Sequence, residues 1–197
     1  MYKSKEIRWF FSDSLEPVDQ WFAQRNLFLS SASPRTDFYL PIPGKNDITY
    51  KLREGNIEAK FRNGEPISYN LTDTASGKLE EWIKWSFNVT DDDELATNII
   101  KSKKFSWVEV VKTRIGVKLF IDNAGQLKVV DIKQRVPDGI QIEYTKIVIN
   151  DRPSYSFCFE WFGDSDLKPE KNFIDELTGT ANLIVEESMG YGEFLNK

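Results

Sequence analysis

Charged side chains recur at every second position in several β-like stretches of this 197-residue sequence. Side chains two residues apart on a β-strand lie on the same face of the sheet. The residues that follow this pattern are Lys51 and Arg53, then Glu58, Lys60 and Arg62, then Lys112 and Arg114, with Glu143 and Glu160 as single acids in later apolar stretches.

Two orientations of these charged faces are open. If the faces point outward, they are ordinary solvated surfaces of a sheet. If they point inward, the protein has a charged interior, and burying those charges is costly unless opposite charges, water or a ligand compensate them. The inward arrangement therefore predicts a cavity that binds a polyanion.

The composition excludes several kinds of catalysis. There is no histidine, which removes Ser-His-Asp and Cys-His nucleophilic catalysis and the usual zinc sites. The single cysteine, Cys158, lies in the apolar run 155–162 and is predicted to be a buried structural thiol. An enzyme built from this chain would use carboxylates, Lys, Arg, Tyr or a hard metal ion held by oxygen.

The net charge and the apolar runs restrict the expected partners. A formal charge of −5 argues against nucleic acid as a partner, because broad binding to it requires a basic surface. No apolar stretch has the length of a signal peptide or a membrane span, so we expect no membrane association and a cytoplasmic location. The length of 197 residues fits a single domain over 1–197.

Alternation and turn signals predict a chain rich in β-strands. Strands are predicted at 5–11, 37–42, 48–53, 56–62, 105–121, 127–136, 140–149 and 155–162. Helices are predicted at 16–24, 77–87, 91–101 and 168–177. Strands joined mostly by short turns indicate an α+β protein whose antiparallel sheet curls or closes into a barrel.

Short motifs, taken in order, resemble the CYTH or triphosphate tunnel metalloenzyme superfamily. The segments that carry the resemblance are Thr36-Asp37-Phe38-Tyr39-Leu40, Tyr50-Lys51-Leu52-Arg53-Glu54-Gly55, Ile57-Glu58-Ala59-Lys60, Val111-Lys112-Thr113-Arg114, Ile142-Glu143-Tyr144-Thr145-Lys146, Phe157-Cys158-Phe159-Glu160 and Ser188-Met189-Gly190-Tyr191. The resemblance implies an eight-stranded antiparallel barrel with flanking helices and a charged tunnel that holds a triphosphate. It also implies Mg²⁺ or Mn²⁺ held by inward carboxylates.

The chain departs from this family at the first strand. The family carries Glu-x-Glu-x-Lys there, whereas this chain has Glu6, Arg8 and Phe10 at those positions. Cys158 stands where an acid would precede Glu160. The phosphate-binding half of the family pattern is therefore better preserved than its metal-binding half.

The resemblance assigns a role to each charged residue. The expected phosphate-binding residues are Lys51, Arg53, Lys60, Lys112, Arg114 and Arg8, and the expected metal ligands are Glu6, Glu143 and Glu160. Three functions remain open: a metal-dependent triphosphate hydrolase, a noncatalytic barrel that binds an anionic small molecule, and an unrelated barrel or interaction protein with charged faces in solvent.

Overall fold

Ten strands and four α-helices make up the described part of the chain. The structure, a computed structural model, describes residues 2–90, 93–100 and 106–197. The strands are β1 (Tyr2–Phe11), β2 (Pro34–Leu40), β3 (Ile48–Arg53), β4 (Asn56–Arg62), β5 (Ile67–Asn70), β6 (Ser76–Asn88), β7 (Val108–Ile121), β8 (Leu127–Asp131), β9 (Gly139–Ile149) and β10 (Arg152–Phe162). The helices are α1 (Glu16–Ala23), α2 (Glu94–Ile100), α3 (Lys171–Thr178) and α4 (Tyr191–Phe194), with 3₁₀ turns at Leu29–Ser31 and Val185–Glu187.

Eight of these strands close into an antiparallel barrel, as predicted. Their order around the barrel is β1-β10-β9-β7-β2-β3-β4-β6, and β6 pairs with β1 to complete the circle. The two shorter strands lie outside this circle, β5 against β6 and β8 against β7. Closure leaves the eight barrel strands without a free edge, which protects them from pairing with other chains.

The barrel reverses the usual placement of apolar and charged residues. On β1, Glu6 and Arg8 point into the barrel while Ile7 and Trp9 point outward. The main hydrophobic core therefore lies outside the barrel wall, where α1 and α3 cover the outer faces of β1, β10, β9 and β7. Trp21 and Phe22 of α1 belong to this core and are almost fully buried.

The hairpin that joins β3 to β4 follows the predicted turn. Glu54 and Gly55 both have positive φ, at 48° and 72°. This is the turn that best matches the twist of two antiparallel strands, and glycine adopts it without strain. It keeps the register in which Lys51 lies opposite Glu58.

One predicted element is wrong. Residues 77–87 were expected to form an amphipathic helix, but β6 runs through Ser76–Asn88. Apolar residues at 79, 82, 83 and 87 fit the period of a helix. In the structure Trp82 faces the cavity, where a polar residue would be expected. The alternation of apolar and polar residues that is typical of a strand is therefore interrupted in this segment. The strand β5 was not predicted.

The other elements agree with the predictions to within a few residues, except the strand predicted at 127–136, of which only Leu127–Asp131 forms β8. The predicted helix at 91–101 is observed as α2, although residues 91, 92 and 101 lie outside the described ranges. The start of the predicted strand at 105–121 also lies outside them, and β7 begins at Val108. Cys158 is fully buried, as predicted.

No helix within residues 2–90, 93–100 and 106–197 is long and apolar enough to cross a membrane.

The outer core generates a prediction about stability. Trp9 is fully buried against Phe157 and Phe159. Trp9→Ala should lower the free energy of unfolding by about 3–5 kcal/mol because it leaves a large cavity in this core. Urea denaturation followed by circular dichroism measures the change.

The matched control for this prediction is Trp85→Ala. Trp85 lies on the outer face of β6 and is 43% exposed, so its replacement should cost about 1 kcal/mol or less. Equal losses in the two variants would contradict the placement of the main core between the barrel wall and the helices.

Candidate functional site

The interior of the barrel contains a cavity of about 120 Å³. This volume accommodates several water molecules. Its basic lining residues in the described ranges are Arg8, Arg35, Lys51, Arg53, Lys60, Lys84, Lys112 and Arg114. Its acidic lining residues there are Glu6, Glu58, Glu143 and Glu160.

The structure brings all nine predicted site residues to this one cavity. They are Glu6, Arg8, Lys51, Arg53, Lys60, Lys112, Arg114, Glu143 and Glu160. Their charged strand faces point inward, and Glu6, Lys112 and Glu143 are buried. The alternative in which these faces lie in bulk solvent is therefore wrong.

Two carboxylates, those of Glu58 and Asp37, each form ion pairs with two basic side chains. Glu58 on β4 lies 3.0 Å from the Nζ of Lys51 and also contacts the guanidinium of Arg53. Both cations come from the neighbouring strand β3, and the hairpin register places Lys51 directly opposite Glu58. Although burial acts to raise it, the two cations hold the pKa of Glu58 below its ordinary value. Glu58 is therefore a carboxylate at neutral pH.

Asp37 on β2 repeats this arrangement. Its side chain is fully buried, with the Nε of Arg35 at 2.9 Å and the Nζ of Lys112 at 3.2 Å. Lys112 also donates a hydrogen bond of 2.6 Å to the hydroxyl of Tyr39. Burial opposes ionisation, but Lys112 and the neighbouring cations keep the pKa of Asp37 below its usual range.

Glu6 and Glu143 share a third cation, Arg8. Lys60 donates a 2.7 Å hydrogen bond to Glu6, and Arg114 donates a 2.6 Å hydrogen bond to Glu143. Arg8 lies between the two acids, with its Nε 3.8 Å from Glu6 and a terminal nitrogen 3.7 Å from Glu143. Burial would raise the pKa of Glu143, but Arg114 and then Arg8 lower it to about 2.

These shared pairs leave the cavity with an excess of positive charge. In the described ranges eight basic and four acidic side chains line it, although the whole chain carries a net charge of −5. A locally basic region therefore lies inside the barrel, although the protein as a whole is acidic. Such a local excess attracts anions more strongly than the net charge of the protein suggests.

The pKa values of two cavity lysines are lowered by burial and by the neighbouring positive charges. Burial, and after it the neighbouring cations Arg53 and Lys112, lower the pKa of Lys51 to about 7. Burial and Arg8 likewise lower the pKa of Lys112 to about 7, although Asp37 opposes the change. Both ammonium groups therefore lose their protons readily near neutral pH while the cavity holds no anion.

Glu160 differs from the other acids. It lies directly opposite Glu6 on the paired strand. Burial, and then repulsion from Glu6 and Glu143, raise the pKa of Glu160 despite the nearby Lys60. Glu160 therefore gives up its proton less readily than an ordinary glutamate, and in its protonated form it has a hydrogen-bond donor.

The segment around α4 fills one end of the barrel. Tyr191 stacks on Tyr39 with ring centroids 5.3 Å apart, and Phe194 stacks on Phe10 at 4.0 Å. The Nζ of Lys112 lies 3.6 Å from the centre of the Tyr191 ring. At the opposite end of β1, Tyr2 lines the cavity and is 40% exposed. The lining of the cavity therefore reaches the protein surface at the end where Tyr2 lies.

The expected metal ligands do not fit a divalent cation. Mg²⁺ and Mn²⁺ need several free oxygen ligands around one point. The oxygens of Glu6 and Glu143 face Lys60, Arg114 and Arg8 instead. Within the described ranges no group of three or more Cys, Asp or Glu side chains is arranged to hold a metal ion.

Several cavity residues were not predicted as site residues. They include Arg35, Asp37, Tyr39, Glu58, Lys84 and Tyr191. Glu58 belongs to the alternating pattern and could have been found by asking which acid lies opposite Lys51 in the predicted hairpin. Arg35 lay just outside the predicted strand at 37–42, because β2 begins earlier, at Pro34.

The ion pairs of Glu143 generate a prediction about acid stability. A Glu that titrates near pH 4.3 in the unfolded chain and near 2 in the fold stabilises the fold above pH 4.3. This contribution is lost as the pH falls toward 2. At pH 7, Glu143→Gln should lower the free energy of unfolding by about 3 kcal/mol, because it leaves the buried Arg8 and the partly exposed Arg114 without this partner.

Urea denaturation of this variant and the native protein at a series of pH values tests the prediction. The difference between the two should shrink as the pH falls below about 4.3. Glu109→Gln, at an exposed position of β7, is the control and should change stability by no more than about 0.5 kcal/mol. A loss in Glu143→Gln that is the same at every pH would contradict the ion-pair explanation.

Comparisons with known proteins find similarity only among solved structures. No family model and no curated protein sequence matches the chain. The chain is similar to the structure of the PH1012 protein from Pyrococcus horikoshii OT3, with a TM-score of 0.48 and 15% identity over 95% of this chain and 98% of that one. It is also similar to a conserved hypothetical protein from Pyrococcus furiosus, with a TM-score of 0.45 and 16% identity over the same shares of the two chains.

Proposed function

We propose that this barrel binds a compact polyanion, a triphosphate group or a short polyphosphate, in its basic cavity. The observation that supports the proposal is that single carboxylates form ion pairs with two cations each. When Lys51 and Lys112 are protonated, Glu58 and Asp37 each contact two cations, and one carboxylate cannot neutralise both. An anionic ligand would supply the missing negative charge.

The cations that face the cavity keep donors for such a ligand. The side chains of Arg53 and Arg114 are 26% and 34% exposed, and that of Lys60 is 25% exposed. Each guanidinium has five N–H donors, and one ion pair with a carboxylate uses only part of them. The planar groups suit the paired oxygens of a phosphate.

The resemblance to the triphosphate tunnel family supports the same ligand class. The basic residues that carry the resemblance are those that converge in the cavity. We place the chain in that superfamily as a member specialised in binding, because two of the three acids expected to hold a metal, Glu6 and Glu143, are paired with cations. Binding of an anion without its hydrolysis follows from this arrangement.

Calorimetric titration with tripolyphosphate tests the proposal. Arg53→Ala should raise the dissociation constant by about 10- to 100-fold, because a hydrogen bond to a charged group contributes about 1.5–3 kcal/mol. Lys51→Ala should weaken binding less at pH 8 than at pH 6, since its amine is mostly neutral at the higher pH.

Arg152→Ala is the control for these variants. Arg152 is an exposed arginine on β10, and its loss should leave binding unchanged if the ligand is inside the barrel. Equal weakening by Arg53→Ala and Arg152→Ala would indicate nonspecific attraction to surface charge. No heat of binding to the native protein would refute the proposal.

The lowered pKa values of Lys51 and Lys112 predict a dependence of anion binding on pH. Both amines are protonated below about pH 7 and neutral above it. The dissociation constant for sulfate should therefore rise between about pH 6 and pH 8.5, by at most about tenfold per pH unit for each proton taken up. Sulfate is the suitable probe because its own charge is constant over this range.

Lys51→Arg provides the matched control. Arginine remains charged throughout this pH range, so the variant should show a flatter pH profile than the native protein. Calorimetry in two buffers with different heats of ionisation should also show proton uptake on binding. Sulfate affinity that is independent of pH would contradict the prediction.

A further inference from the structure

Arg8 lies inside the cavity between the carboxylates of Glu6 and Glu143. We propose that its guanidinium takes the place of a divalent cation there, so that the cavity binds the metal-free form of a polyphosphate. This inference rests on the proposed function, and it adds the form of the ligand and the effect of Mg²⁺ on binding.

The position of Arg8 is set by three neighbouring strands. Arg8 on β1 lies opposite Cys158 on β10, which in turn lies opposite Glu143 on β9. The small side chain of Cys158 leaves space through which the guanidinium approaches Glu143. Because Glu6 is two residues away on β1 and shares the inward face, Arg8 contacts acids from two different strands.

The contacts of Arg8 leave it able to take a further partner. Its distances of 3.8 Å to Glu6 and 3.7 Å to Glu143 are longer than hydrogen bonds. One terminal nitrogen donates a 3.3 Å hydrogen bond to Ser156. Its Nε is buried and has no hydrogen-bond acceptor in the described ranges. A buried donor of this kind is costly unless a ligand or water satisfies it.

The surroundings of Arg8 oppose a metal ion. The guanidinium is buried, with 6% of its side chain exposed, and its charge is permanent because arginine does not lose its proton in proteins. Lys60 and Arg114 bind the remaining oxygens of the two acids. A divalent cation entering this position would meet like charges on several sides and find few free oxygens.

The form of the bound ligand follows from this charge distribution. Mg²⁺ binds polyphosphates in solution and neutralises part of their negative charge. The complex then interacts less strongly with a cavity whose described lining already has an excess of basic groups. In this protein Mg²⁺ should therefore compete with the cavity for the polyphosphate, whereas in a metal-dependent site it would assist binding.

Calorimetric titration of the native protein with tripolyphosphate, once with EDTA and once with excess Mg²⁺, tests the inference. We expect binding in EDTA and weakening by about tenfold or more in Mg²⁺. Binding that is unchanged or tighter in Mg²⁺ would overturn the inference but leave the proposed function intact. No binding under either condition would refute the proposed function.

A second measurement decides the role of Arg8 without any polyphosphate. Electron paramagnetic resonance of Mn²⁺ should show no bound ion in the native protein or in Arg8→Lys, which keeps the positive charge. Arg8→Gln removes the charge and should bind Mn²⁺, and Glu143→Gln combined with it should abolish that binding. Circular dichroism verifies that each variant is folded. Failure of a folded Arg8→Gln to bind Mn²⁺, or binding by the native protein, would overturn the inference.

Discussion

The structure depends on one electrostatic constraint, which is that a buried charge must lie near an opposite charge. The barrel meets this constraint with too few acids for its cations, so that Glu58, Asp37, Glu6 and Glu143 each contact two basic groups. This arrangement keeps the acids ionised but leaves part of the positive charge uncompensated. The affinity for anions that we propose is a direct result of this incomplete neutralisation.

The constraint also explains where the hydrophobic core lies. A barrel interior filled with charged groups cannot supply much hydrophobic stabilisation. The chain places large aromatic residues on the outer faces of β1 and β10 instead, where Trp9, Phe157 and Phe159 belong to one core with residues of α1 and α3. The helices thus stabilise the wall from outside, and the interior remains free to be polar. Binding and folding therefore use opposite faces of the same strands.

The sequence predicted most of the fold because inward charges and outward apolar residues alternate along β3, β4 and β7. It did not predict β6, where Trp82 faces inward and interrupts the alternation. Most site residues were found because a charge stood in such a pattern, although Glu58 also stood in it and was assigned no role in the site. Asp37 and Tyr191 were missed because their roles depend on contacts with distant segments of the chain that no local pattern encodes. Asp37 contacts Lys112 on the neighbouring strand β7, and Tyr191 stacks on Tyr39.

The closure of the barrel through β1 has a consequence for how the chain folds. Lys60 and its partner Glu6 are 54 residues apart in sequence, and β1 also pairs with the distant β10. Contacts between distant residues form slowly, so we expect the β3–β4 hairpin, with its basic residues, to form before Glu6 reaches Lys60. Dissolved ions screen the repulsion among these basic residues. The rate at which this chain folds is therefore expected to depend on salt more strongly than that of a barrel with an apolar interior.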